Sequence, residues 1–482
     1  MLDNFMPTGV EYFRVLPEII LTLVGVLIMF LEAVLPENAK TILSKVAGVG
    51  LLGALAAAFY TDPGMAFQGM LVVDNFATFF RVLVIGIGFL TVFASSEYLR
   101  REGQTGGEYY MLILFSIVGQ CVMATANELI MIFIGLEISS IASYVLAGYL
   151  RDDARNNESA LKYFLLGSFA TAFLLYGVAW IYGASGSTNL TTIRGELVNG
   201  NVPEVMAATA AALILVGLAF KVSAAPFHGW APDVYQGAPA PVSAFLSVGP
   251  KAAAFAVLLR VFVGGFGPMA DRWAPMLWVI SLATMTVGNF AAILQSNIKR
   301  MLAYSSIAHA GYVLVAVTAH SSTGSAAAMF YLAAYAFTNL GAFAVVAYFS
   351  RKGERYVKIA DFEGLAERQP AMAAMMTIFL LSLIGVPLTG GFFGKFYIFK
   401  AALEVNLVWL TVLGLLNSAV AAYYYLRILV VMYMKEPGES MQDLPPAGAA
   451  MKVAVYGSAL GTLVLGIFPS WVLDFATKAN LR

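Results

Sequence analysis

Apolar runs of about 20 residues follow one another along the whole chain, with only short polar connections between them. A run of that length crosses the hydrocarbon of a bilayer as a helix, which satisfies its own backbone groups where no water can. Only 12% of the 482 residues are charged and 60% are hydrophobic, whereas a soluble domain is about one quarter charged. Segments of strictly alternating polarity, the mark of a membrane barrel, are absent. The pattern predicts an all-α polytopic membrane protein with about 14 spans, at roughly 15–35, 44–61, 77–97, 110–127, 129–150, 161–184, 206–225, 242–264, 274–295, 302–318, 326–349, 371–399, 406–433 and 451–473. The stretch 371–399 is interrupted by GVPLTGGF and reads as one broken helix. The longest polar connection, RKGERYVKIADFEGLAERQP at 351–370, is too short for a soluble domain, so 1–482 reads as a single membrane domain.

Two interruptions organise that domain. Lys221 adjoins SAAPFH in the seventh span, broken at Pro226, and Lys395 adjoins GVPLTGGF in the twelfth, broken at Pro387, Gly390 and Gly391. Paired interrupted helices five spans apart predict two five-helix repeats of opposite orientation, 110–264 and 274–433, with a site near the bilayer midplane. Lys and Arg gather in the connections of one side, among them Arg100, Arg101, Arg151, Arg155, Lys299, Arg300, Arg351, Lys352 and Arg355. That bias predicts both termini outside, in the periplasm of a bacterial inner membrane. The N-terminal MLDNFMPTGVEYFRVLPEII lacks the basic stretch of a cleaved signal peptide, so the first span is expected to stay.

Composition narrows the function. A formal net charge of zero offers nothing to nucleic acid. Cys121 is the single cysteine, and with three histidines the chain cannot ligate an iron–sulfur cluster. There is no Gly-rich dinucleotide turn and no phosphate-binding loop. No cofactor or metal is expected here, and any linked redox chemistry must occur on other chains.

Five charged residues fall where an apolar span should hold none: Glu137 in the fifth, Lys162 in the sixth, Lys221 in the seventh, Lys251 in the eighth and Lys395 in the twelfth. Each costs about 2.5–3.5 kcal/mol at the centre of a bilayer, so they should face the protein interior and pair. Glu137, the one mid-span carboxylate, is the natural partner of Lys221 or Lys162. An ammonium held away from water can release and rebind a proton near neutral pH, and a series of such sites is a proton relay. A lysine snorkelling to the interface is the alternative reading of Lys162. His309, in YSSIAHAGY of the tenth span, reads as a relay member or a core histidine. His228 and Asp233 read as a proton uptake point or as a cap on the broken helix. Arg81, Arg260 and Arg427 also lie in spans, with no role apparent.

The run from Lys221 to Phe245, K-x4-P-F-H-x-W-x-P-D-x-Y-x2-A-P-x-P-x-S-A-F, resembles the signature of the proton-translocating antiporter-like membrane subunits of respiratory complex I. GLEISS around Glu137, KRMLAYSSIAHAGY at 299–312 and GVPLTGGFFGK ending at Lys395 are similar to that family in the same order. Lys251 in place of a histidine, Lys395 in place of a glutamate, and a chain ending about ten residues after its last span point to the branch without a long lateral helix. The resemblance implies a Glu137–Lys221 pair, Lys162 and Lys251 as connecting lysines, and Lys395 on the exit side. It implies other membrane-arm subunits as partners, with NADH, quinone, flavin and iron–sulfur clusters handled by other subunits. A multi-subunit cation/proton antiporter shares the signature and is the alternative. A structural membrane anchor is a third reading.

Overall fold

The computed structural model describes residues 6–104, 106–441 and 444–479. Among them, 13 helices are long and apolar enough to cross a membrane. We number the membrane helices α1 (Leu16–Val34), α2 (Ile42–Tyr60), α3 (Asn75–Glu102), α4 (Gly107–Thr125), α5 (Leu129–Ala147), α6 (Ala154–Ser185), α7a (Glu204–Lys221) with α7b (Trp230–Gly237), α8 (Ala240–Leu258), α9 (Ala270–Ile293), α10 (Ile298–Thr318), α11 (Ser322–Phe349), α12a (Pro370–Ile384) with α12b (Gly390–Glu404), α13 (Val408–Met434) and α14 (Ala449–Ile467). The α12 pair supplies the fourteenth crossing. An antiparallel hairpin of β1 (Gly64–Ala66) and β2 (Leu71–Val73) lies between α2 and α3, and short helices at Gly9–Arg14, Leu190–Val198 and Ser470–Lys478 flank the spans. The last span stops at Ile467 rather than near 473, because Pro469 interrupts the helix.

Polar residues at the ends of the apolar runs start four of these helices. Asp74, Asp153, Asn297 and Ser321 each accept a backbone N–H in the first turn of the helix that follows. Burial then sorts the bundle. The apolar windows of α8, α10 and α11 are 94% buried, against 28% for α1 and 33% for α13, so those three form the axis and the others surround them. Lys251, Lys299 and His309 therefore stand on central helices.

The neighbours repeat along the chain. In one half α4 packs on α5 and α8, and α6 packs on α5 and both parts of α7; in the other, α9 packs on α10 and α13, and α11 packs on α10 and both parts of α12.

Both interruptions form as expected. Helix α7a ends on Lys221, residues 222–229 include a cis Ala225–Pro226 bond, and the Trp230 indole N–H donates back across the gap to Phe220 O at 2.9 Å. Helix α12a ends at Gly385, whose φ of +94° suits glycine. Gly391 is required by contact: a Cβ there would lie 1.9 Å from the Ser382 carbonyl oxygen.

Candidate functional site

Lys221 reaches the interior because it is the last residue of α7a, where the chain turns away. It is 8% exposed, and its ammonium donates to Ser140 Oγ at 2.7 Å and to the Tyr144 hydroxyl at 3.3 Å. The rings of Tyr144 and Tyr163 lie 5.3 and 5.6 Å from Nζ, adding a cation–π environment. Glu137, Ser140 and Tyr144 follow at helical spacing on one face of α5. The direct Glu137–Lys221 ion pair expected from the sequence is not formed. Lys221 takes the hydroxyls along α5, Glu137 acts on it through space, and Glu137 Oε1 is buried without a hydrogen-bond partner.

Lys162 does not pair with Glu137 either. Its side chain is 41% exposed and pairs with Glu158 and Asp233, each at 2.7 Å, rather than with Glu137. The reason is the register of α6, which begins at Ala154, ahead of the apolar run, and so keeps Lys162 close to the polar end. Asp233, on α7b, also accepts from Arg300 of α10 at 2.6 Å. It ties α6, α7b and α10 together. His228 lies half-buried in the break, with Nδ1 buried and unpartnered.

Lys251 is 2% exposed and donates to Ser306 of α10, at 2.6 Å to Oγ and 3.2 Å to the carbonyl. The neighbouring Ser305 hydrogen-bonds the Tyr425 hydroxyl of α13. That hydroxyl lies 3.2 Å from His309 Nε2, and His309 Nδ1 lies 2.6 Å from the Tyr331 hydroxyl of α11. Each of these side chains can both take and give a proton. Beyond His309, the Tyr312 hydroxyl accepts from Asn289 at 3.2 Å, and the Tyr312 ring lies 5.0 Å from Lys395 Nζ.

Lys395 is 7% exposed. It donates to the Leu383 and Ile384 carbonyls at 3.0 and 2.8 Å and to Ser418 Oγ at 2.7 Å. Those carbonyls end α12a, so the ammonium sits at the negative end of a half-helix. The break in α12 thus supplies the ligands that hold a cation at depth. Among the described residues, no group of three His, Cys, Asp or Glu side chains is placed to hold a metal.

Sequence reasoning missed the hydroxyl partners: Ser140, Tyr144, Ser306, Tyr331, Tyr425 and Ser418. The signal for Ser140 and Tyr144 was present, as polar residues three and seven positions after Glu137. The arginines now have roles. Arg81 pairs with Glu18 at 2.8 Å, Arg260 with Asp74 at 2.7 Å, and Arg427 donates to Ile293 O and Gln295 O at the end of α9.

Residues 126–421 match a family described as NADH:quinone oxidoreductase/Mrp antiporter, TM. The chain belongs to this family. A NADH-quinone oxidoreductase subunit N 1 of Solibacter usitatus is 65% identical over 97% of both chains, and a subunit N of Trichlorobacter lovleyi is 45% identical over 96% of both. A chain of respiratory complex I from Thermus thermophilus superposes with TM-score 0.82 at 34% identity, covering 96% of this chain and all of that one. A chain of the Mrp complex from Dietzia sp. shares the fold, with TM-score 0.83 over 97% of this chain and 96% of that one, at 21% identity. The antiporter-family match spans both broken helices and each buried lysine described above.

Proposed function

We propose that this chain is a proton-translocating membrane subunit of an NADH:quinone oxidoreductase of the complex I type, driven by redox chemistry in other subunits. Protons pass from the Glu137–Lys221 region to Lys251, then by Ser306, Ser305, Tyr425 and His309 towards Lys395, with His228, Asp233 and Lys162 at the uptake end. The observation that carries this reading is the pair of lysines, Lys251 and Lys395, enclosed by protein and flanked by hydroxyls and an imidazole. Among the described residues no carboxylate lies within ion-pairing distance of either ammonium, an expensive arrangement for a merely structural element. Moving one proton against 100 mV takes about 2.3 kcal/mol, within reach of a modest change in how Glu137 acts on Lys221.

Flavin, iron–sulfur clusters, NADH and quinone belong to partner subunits in this reading, and the chain contributes no redox centre. It lies in the bacterial inner membrane with both termini periplasmic, consistent with the basic connections on the opposite side. The matching neighbour order of α4–α8 and α9–α13 supports two five-helix repeats, 110–264 and 274–433, inverted relative to each other. The antiporter alternative draws on the shared fold, but the relatives at 65% and 45% identity are oxidoreductase subunits.

The test is Glu137→Ala/Lys221→Ala in the assembled complex, measuring protons moved per electron in sealed vesicles. Severe loss with assembly intact is expected. Wild-type stoichiometry would reject the reading, and loss of assembly alone would favour a structural anchor.

A further inference from the structure

Lys299 opens α10 with no exposed side-chain surface, and the relay above does not employ it. Its ammonium donates to Ala238 O at 2.5 Å and to Glu354 Oε2 at 2.6 Å. Glu354 belongs to the 351–370 connection, at a φ of +49° that a non-glycine residue adopts only when its surroundings hold it there. That backbone turns the side chain inward. It is 10% exposed, while Lys352, Gly353 and Arg355 beside it are exposed. The other carboxylate oxygen accepts from the Ala240 amide at 2.7 Å and from the Tyr98 hydroxyl at 2.8 Å. Ala240 is the first residue of α8, so Glu354 caps the helix that carries Lys251. The other charged groups facing this cluster are Arg101 and Glu102 at the end of α3 and Asp153 and Arg155 at the start of α6. Glu102 and Arg155 hold Gly353 by its amide and carbonyl.

Two helix faces lead from this pair to Lys251. On α10, Lys299 and Ser306 lie seven residues apart on one side, about 10 Å along the axis, and Ser306 holds Lys251. On α8, Ser247 stands one turn before Lys251 and accepts from Asn339 Nδ2 of α11 at 2.7 Å. Asn339 Oδ1 is buried and has no partner. A buried acceptor with spare capacity is rare in a packed interior and suits a position that water or a moving proton visits.

We propose that Glu354 and Lys299 form a second proton-uptake site, taking protons from the aqueous side of the 351–370 connection and delivering them to Lys251 past Asn339 and Ser247, without passing Lys221. The step balances without a co-reactant. A proton from water binds the Glu354 carboxylate and releases Lys299 from its ion pair, then leaves for unprotonated Lys251, and the pair re-forms. The proposal rests on the relay reading above.

The test compares the assembled complex in sealed vesicles carrying Glu354→Gln, Glu354→Asp, Lys299→Gln, Lys221→Ala, or Lys221→Ala with Glu354→Gln. Because the Lys221 route carries most of the flow, Glu354→Gln alone should lower initial pumping only by about the share that Lys221→Ala retains, with Glu354→Asp restoring it. Lys299→Gln should lower pumping to the same extent as Glu354→Gln, since the pair must re-form in each cycle. The residual pumping of Lys221→Ala should disappear in the double variant. Residual pumping in Lys221→Ala that Glu354→Gln leaves unchanged, or no residual pumping at all, would overturn the second uptake site and leave the relay reading standing. Wild-type pumping in Lys221→Ala would remove the relay reading as well. Failure of both Glu354→Gln and Lys299→Gln to assemble would mark the pair as a packing tie and also overturn the proposal.

Discussion

Arg81 and Glu18 offer the sharpest separation of a structural charge from a transporting one. The Arg81 side chain is fully buried on α3, and its Nε and one terminal nitrogen both meet Glu18 Oε1 of α1 at 2.8 Å. The Glu18 side chain is 9% exposed, and its second oxygen has no partner, so Arg81 is what neutralises it. Arg81→Met leaves that carboxylate buried and uncompensated, a loss of about 3–5 kcal/mol, or roughly 10²- to 10⁴-fold in the folded population. Glu18→Met leaves the guanidinium stranded at a similar cost. Replacing both with apolar side chains of similar volume removes both desolvated charges and should fall within about 1 kcal/mol of the parent. The coupling energy of this double-mutant cycle should therefore be at least about 5 kcal/mol. The assay is denaturant titration of the purified complex, following loss of this subunit, together with pumping per assembled complex. Additive single effects would refute the pairing. A double variant that assembles but no longer pumps would refute the structural assignment.

Two further predictions concern the broken helix and the polar end of α6. Gly391→Ala should destabilise the α12 break by about 1–3 kcal/mol, because the new Cβ meets the Ser382 carbonyl, and pumping should fall as Lys395 one turn on is displaced; normal pumping would refute the contact. At the start of α6, hydrogen bonds from the Arg155 guanidinium hold the Asp153 carboxyl below its ordinary range. A depressed carboxyl contributes stability above its unfolded value, near pH 4, and loses it as pH falls through the folded value. Asp153→Asn should therefore flatten the acid limb of a stability-against-pH curve taken in detergent, and an unchanged limb would refute the role.

Much of the architecture was legible without coordinates. Runs such as 15–35 and 326–349 have one stable outcome in a bilayer, so helix number and order follow from apolar length alone. Pro226 and Gly391 marked the two breaks because one removes a backbone donor and the other admits a close approach. Lys221, Lys251 and Lys395 were legible for the same reason, that charge inside a span is costly, whereas the buried Lys299 was read as a connection residue. The partners were not. Lys251 holds Ser306, 55 positions away, and Lys299 holds Glu354 at the same separation. Nothing local in the sequence distinguishes Ser306 from the serines that only bond their own helix.

The sequence by itself determined that this protein spans a membrane, where its helices break, and that Lys221, Lys251 and Lys395 must be sheltered, since each is a matter of local transfer energy. Only tertiary structure decided what shelters them. Lys221 reaches hydroxyls rather than Glu137, Lys162 stays at the polar rim, and Lys395 meets the end of a half-helix. Those outcomes depend on how helices distant in sequence turn their faces together, and that is set by packing across the whole bundle.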